Sequence, residues 1–485
     1  MRLLAFVLLA MLGALVPAAA VQAQQASECT LLDNPTRRFL INNQGTPFES
    51  WYVTEAVFVC DGGDRRIVAQ TATYSVANGL ITLNGDVQVD DPERSLRSEF
   101  AQYFTETEQL HARTGVVLRE KSNGSVIRSE LLDIYQETAD RGSLLIATGG
   151  RPRAVMFQTT AGGMAAAAPG EVTETGVPRR RVPGMVRDST VLEAQEIRMT
   201  GGQSFRGTGT ALLRRDSLTA TGHAIEFSDA TRRLDVMGDA VVELPSQELR
   251  GDSITATVDD QDEIDEVLAR GTASLVAEDL RVTARAIRLM FANGGVERLV
   301  AMGGQAPSGA AAGSRPHVES DGFSMDADSI DVLAPNQQIS EAVAIGNALG
   351  ERVLPDSLRA RLPEATPEVL ALLSRDWMRG DTVRARFAPN PRAEVDSTAT
   401  ATVMEQLAAH GDQAQSMYSV VDEGNPEARL SFNYLLSSYI EVNFIDGQVG
   451  TVSAAGDARG VYLQPSEAAR ATTGAVGVAT PPGSQ

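Results

Sequence analysis

One pattern constrains this chain more than any other: a glycine preceded by apolar or small residues at positions −4 and −2. The sets are Leu234/Val236/Gly238, Val267/Ala269/Gly271, Leu299/Ala301/Gly303, Ala342/Ala344/Gly346, Leu407/Ala409/Gly411 and Val452/Ala454/Gly456, with a looser copy at Asn78–Val87. A spacing of two is the period of a strand with one face inward, and the glycine lets the backbone bend or approach a neighbour. Upstream of most of these glycines lies a second alternating run. These runs present Ile254, Ala256 and Val258; Ile287, Leu289 and Phe291; Ile330 and Val332; Val383, Ala385 and Phe387; and Ile440, Val442 and Phe444. The unit is strand, turn, strand, glycine kink. Gly238, Gly271 and Gly303 lie 33 and 32 residues apart, a period that reads as stacked units, none able to bury its apolar face alone. The expected fold is all-β.

The turns between paired strands vary freely. Asp259–Glu263 reads DDQDE, where other copies have ANGG, APNQQ or DGQ. A solvated hairpin tip accepts such variety. A calcium loop of the EF-hand type needs glycine at its sixth position, and Ile264 or Asp265 stands there instead. One segment breaks the strand pattern. In Leu362–Gly380, Thr366-Pro367-Glu368 starts a helix and Leu370, Leu373 and Trp377 follow at helical spacing. A short helix near 366–378, packed on the end of the sheet, is expected between two repeats.

Soft segments divide the rest. Residues 24–160 form a first β-repeat region, and 161–184, small and rich in Pro and Gly, read as a linker or long loop. A second region, 185–306, is separated by a connector, 307–316, from a third, 317–465, and a tail, 466–485, is expected to be disordered. Arg179–Arg181 reads as a solvated basic run. At the start, a single arginine, an apolar stretch and Val21-Gln22-Ala23 read as a signal peptide cleaved after Ala23. No later stretch has the length of a membrane span. The two cysteines, Cys29 and Cys60, are expected to form one disulfide in an oxidising compartment, unless they remain separate buried thiols.

Composition removes several function classes. The formal net charge is −21 and Lys121 is the only lysine. Such a chain is poorly suited to nucleic acid or to a polybasic membrane anchor, both of which need clustered cations. The four histidines, His111, His223, His317 and His410, have no zinc-ligand spacing, so no metal is expected. Gly201–Gly207 lacks the spacing of a nucleophile elbow, Lys121 is not part of a phosphate loop, and no carboxylate pair stands out for glycoside hydrolysis. The expectation is a non-enzymatic protein without a cofactor.

Leu80–Leu118, with its G-D-V bend, LRSEFAQYF and strand into another glycine, resembles the OstA-like (LptA-like) family of lipopolysaccharide-transport proteins. Copies around LRGDSITATVDD and Leu430–Leu463 resemble it too. The resemblance covers most of residues 50–465. It implies a V-shaped or jellyroll-like stack of antiparallel strands around an apolar trough, with partner stacks joining edge to edge by strand addition. It also implies a periplasmic or outer-membrane-associated role in lipopolysaccharide transport and outer-membrane assembly, with acyl chains in the trough. The lipid-binding candidates are Ile254, Val258, Val267, Ile287, Leu289, Phe291, Leu299, Ile330, Val332, Val383, Phe387, Ile440, Val442 and Phe444. The same side chains can instead close on each other as an ordinary core. Two other classes stay open: a secreted β-solenoid enzyme acting on polysaccharide, and a structural or adhesive surface protein.

Overall fold

The computed structural model describes residues 29–32, 38–42, 44–46, 48–137, 142–157, 189–201, 204–215, 217–259, 264–277, 280–293, 295–304, 315–320, 322–391, 402–422, 428–445 and 447–464. The expected signal peptide, the 161–184 linker, Asp260–Glu263, most of the connector and the 466–485 tail lie outside them. The described chain is nearly all antiparallel β, as expected, and forms two compact units. One comprises residues up to 121 with 131–144, the other 122–130 and 145 onward.

In the first unit, β1 (Cys29–Leu31) and β2 (Arg38–Leu40) pair with opposite ends of β3 (Ser50–Cys60). The meander continues through β4 (Arg65–Ser75), β5 (Leu80–Asp90), β6 (Arg94–Phe104) and β7 (Gln109–Glu120). Cys29 lies opposite Cys60 in the β1–β3 register, and the two form the expected disulfide. The residues of β8 (Val126–Tyr135) are shared between the units.

In the second unit, the short strands β9 (Leu144–Thr148), β10 (Arg153–Phe157), β11 (Ser189–Glu193) and β12 (Glu196–Thr200) lead into long hairpins. These are β13 (Ser204–Arg215), β14 (Leu218–Ser228), β15 (Arg233–Leu244), β16 (Gln247–Val258), β17 (Ile264–Ala277) and β18 (Leu280–Ala292). Next come β19 (Gly295–Met302), β20 (His317–Ser320), β21 (Phe323–Asp326) and β22 (Ser329–Leu333). The last strands are β23 (Glu341–Val353), β24 (Arg375–Pro389), β25 (Thr402–Val420), β26 (Ser431–Ile445), β27 (Gln448–Ala455) and β28 (Arg459–Leu463).

The repeated glycine marks a bend in mid-strand. Register shifts between Met237 and Ala240, between Arg270 and Ala273, and between Ile345 and Ala348. At Gly238 and Asp239 the φ angles are 74° and 49°, and at Gly346 and Asn347 they are 83° and 46°. Two consecutive left-handed residues make a bulge that redirects the strand, which glycine allows without steric cost. The position also tolerates no side chain for lack of room. A Cβ on Gly238 would sit 2.6 Å from His223 Nδ1 and 2.9 Å from His223 Cβ, on the preceding strand.

The bends split each long strand between two layers. In the second unit, layer A holds the β16 residues after the bend, the start of β17, the end of β18, β19, β22, the start of β23 and the ends of β24 and β26. Layer B holds the other halves with β20, β21 and β28. Both halves keep an apolar face inward. In β18, Val282 and Ala284 are buried on layer B, and Ile287 and Leu289 on layer A. The outward faces carry cross-strand ion pairs such as Arg298–Asp331 and Arg375–Glu351. Exposed pairs of this kind add little stability but keep the outer face soluble.

Two local findings refine the expectations. Both layers run on across the connector, because β18 pairs with β19 on one layer and β20 on the other, and β23 pairs with β22 and β21 in the same way. The helical insert is shorter than its sequence pattern. It comprises α1 (Asp356–Arg359) and α2 (Pro367–Leu373), after which β24 begins. Trp377 therefore lies in a strand, paired with Glu351 and Met417, and packs 6.3 Å from the ring of Tyr434. Ladder hydrogen bonds on both sides outweigh a helical stripe whose next turns would have no partner. The helices cover a satellite core of Leu354, Leu358, Leu430 and Phe432.

Candidate functional site

Away from the bends, the hairpin tips of the two layers in the second unit face each other across a groove of about 430 Å³. Layer A contributes Val296, Leu299, Val332, Phe387 and Met404, and layer B contributes Leu275, Leu280, Phe323 and Arg352. Leu275, Leu299, Phe323 and Val332 are almost wholly buried and form the floor, while Ser246, Gln247, Gln337, Gln338 and Thr402 stand nearer the tips. An apolar floor under a few polar groups is the usual composition of a small-molecule site.

Two contacts tie the layers together along one flank. The rings of Phe323 and Phe387 meet edge to face with centroids 5.5 Å apart. Beside them Arg352 crosses from layer B to layer A. Its Nη1 donates to the Gly447 carbonyl at 2.8 Å, and its guanidinium carbon lies 4.0 Å from the centre of the Phe444 ring. Its Nη2 donates to Asp376, which also accepts the Ser419 backbone N–H at 2.7 Å. Asp376 and Arg352 are only 2% and 7% exposed, so the pair's charge is cancelled within the protein. The Arg352 Nε is buried without a hydrogen-bond partner.

The first unit has a related crossing. Arg65 donates to the Tyr103 hydroxyl and lies 5.5 Å from the centre of that ring. Burial opposes its charge, but Tyr103, Asp61 and Glu108 together hold its pKa above the ordinary arginine value.

All fourteen sequence candidates fall on layer A. Leu299, Val332 and Phe387 line the groove. Ile254, Val267, Ile287, Leu289, Ile330, Val383, Ile440, Val442 and Phe444 are buried. They are not among the groove-lining residues and pack in the interlayer core. Val258 and Phe291, near hairpin tips, are half-buried. Layer B, with Leu275, Phe323 and Arg352, holds none of the sequence candidates. A signal was present. Counting forward from the bend glycine, apolar residues recur at +2 and +4, as Ala240/Val242 after Gly238 and Ala273/Leu275 after Gly271. Arg352 stands at +6 from Gly346.

No group of three or more His, Cys, Asp or Glu side chains among the described residues could hold a metal ion. No helix among them is long and apolar enough to cross a membrane.

Fold and groove define a class: a stacked antiparallel β-protein whose two layers enclose an apolar interior that opens at the hairpin tips. No family model and no curated protein matches the chain. Among solved structures it is similar to LptH of Pseudomonas aeruginosa, described as the LptA homologous periplasmic component of the conserved lipopolysaccharide transport device. The likeness is at 18% identity with a TM-score of 0.21, covering 27% of this chain and 82% of that one.

Proposed function

We propose that this protein is a non-enzymatic, extracytoplasmic carrier of acylated lipid in lipopolysaccharide transport and outer-membrane assembly. The observation that carries the proposal is the apolar groove between the tips of layers A and B. Removing a methylene from water is worth about 0.8 kcal/mol, so a dozen of them favour such a lining by roughly 10 kcal/mol. Lipopolysaccharide as cargo comes from the resemblance of the repeats to the OstA-like family. The Cys29–Cys60 disulfide supports an oxidising compartment.

Partner proteins join by strand addition. β27 reads QVGTVSAA without a charge, and among the described residues it pairs only with β26. β28, which also pairs with β26, is exposed along its whole length. An uncharged edge such as β27, unpaired on its far side among the described residues, is a template for another strand.

The close packing of Ile254, Ile287 and Ile440 favours a second reading, a structural repeat protein with a filled core. A photoreactive residue at Val296, inside the groove, and another at Arg298, on the outer face, separate the two. Lipid A carrying a radioactive label should crosslink from position 296 and not from 298. Equal labelling from both positions, or none from either, removes the carrier reading.

A further inference from the structure

We infer that the hydrocarbon path of the second unit is closed toward β27 and β28, so that acyl chains enter and leave between the hairpin tips and are not passed on through that edge. This rests on the carrier reading above and concerns the route of the cargo, whatever its number of chains. Three observations carry it. The first is where the groove stops. Its layer B lining comes from the tips of β16, β17, β18, β20 and β21 and ends at Arg352, Val353 and Pro355. Layer B itself continues through the first half of β24, the second half of β25, the first half of β26 and β28. None of the described residues in those segments lines the groove.

The second is what stands at that point. Arg352 is fixed by ladder pairing to Phe323 on one side and Asp376 on the other. From there its guanidinium spans the layers, donating to the Gly447 carbonyl at 2.8 Å and lying 4.0 Å from the centre of the Phe444 ring. Deeper between the layers, Leu407, Ile440 and Val442 are almost wholly buried and fill the space. To reach β27, a chain of methylenes would have to push the guanidinium off Gly447 and Phe444. That strips contacts from a charge pair far from water, which is costly.

The third is the polarity of the interior. Arg352, Asp376, Ser416, Ser419 and Ser437 are all buried, and outside β23–β26 the described residues of the second unit bury only one other polar side chain, Ser125. Asp376 accepts the Ser419 backbone N–H at 2.7 Å, and the Asn433 amide donates to the Tyr418 hydroxyl at 2.7 Å. Before the crossing, layer B buries Leu275, Val282, Val318 and Phe323 instead. Hydrocarbon is favoured against the apolar set, but among the polar set it would displace hydrogen bonds that it cannot replace. Strand addition at β27 then attaches a partner without joining the two hydrocarbon linings.

Photocrosslinking of the full chain with labelled lipid A tests the inference from three positions. Val296 lies in the groove, Arg298 on the outer face, and Val452 on β27 opposite the buried Val442. The expected result is labelling from position 296, with position 452 at least tenfold weaker and no stronger than 298. In Arg352→Ala/Asp376→Ala, with a thermal melt confirming folding, labelling from 452 should rise at least tenfold. Equal labelling from 296 and 452 in the unaltered chain, with 298 unlabelled, overturns the closure and leaves the carrier reading standing; this comparison needs no variant. A folded double variant still unlabelled at 452 overturns the assignment of the barrier to Arg352 and Asp376. No labelling from 296 removes the carrier reading, and this inference with it.

Discussion

Arg352 on layer B and Phe444 on layer A meet across the groove flank, guanidinium carbon to ring centre at 4.0 Å. The contact joins strands far apart in sequence, and its cation is balanced by Asp376 beneath it. A cation over an aromatic face is worth about 2 kcal/mol when desolvated, and the first unit uses the same device at Arg65 and Tyr103.

Removing one member of the buried pair strands the other. Arg352→Met should destabilise the second unit by about 3–5 kcal/mol, because Asp376 is left charged and enclosed. The double variant Arg352→Met/Asp376→Leu should recover part of that loss. Urea midpoints of the two variants check it, and a double variant no more stable than the single one would contradict it.

The bend glycines should divide by their surroundings. At Gly238, alanine meets both a left-handed backbone and the His223 side chain. At Gly115 the φ is 65° but a Cβ meets nothing within 4 Å. Gly115→Ala should cost about 1–2 kcal/mol, the penalty for an L-residue in that region, and Gly238→Ala more. Adding His223→Gly to Gly238→Ala, which removes the His223 Cβ as well, should lower the cost toward the Gly115 value. Thermal unfolding of the four proteins reads this directly.

Cys29 and Cys60 fasten the first edge strand to β3. Reduction, or Cys29→Ser/Cys60→Ser, should lower stability by about 2–4 kcal/mol. The loss should appear in hydrogen exchange of β1 and the end of β3, with β24–β26 unchanged. Uniform loss of protection throughout would count against a local staple.

A modest acid-side dependence should trace to Glu441. The Tyr439 hydroxyl, and then the Asn443 amide, donate to its carboxylate and hold its pKa below the usual value. A depressed folded-state pKa contributes stability above the unfolded pKa and loses it as pH falls through the folded value. Tyr439, raised first by the same hydrogen bond, contributes below its unfolded pKa and loses that as pH rises through its folded one. Because the site is largely solvated, the effect should stay under about 1 kcal/mol. Tyr439→Phe should flatten the melting-temperature profile at both extremes, and an unchanged profile would remove the assignment.

Much of the fold was legible because β structure writes itself at short range. Alternation at a period of two, as in Ile287/Leu289, names the inward face of a strand whatever it packs against. A recurring Gly-Asp or Gly-Asn marks a bend because few other pairs tolerate two left-handed residues. Trp377 shows the limit: helical spacing placed it on α2, and two neighbouring strands claimed it for β24.

The sequence by itself determined the all-β stack, the inward residues of layer A, the mid-strand bends and the two cysteines that pair, since each depends on neighbours within a hairpin or on a rare residue type. Only the tertiary structure decided where the interior is filled and where it opens. Ile254 and Leu299 share one pattern and both are buried, yet of the two it is Leu299 that lines this groove. Beside the groove the layers are bridged by Phe323 against Phe387 and Arg352 against Phe444. Such cross-layer contacts have no local periodicity to announce them.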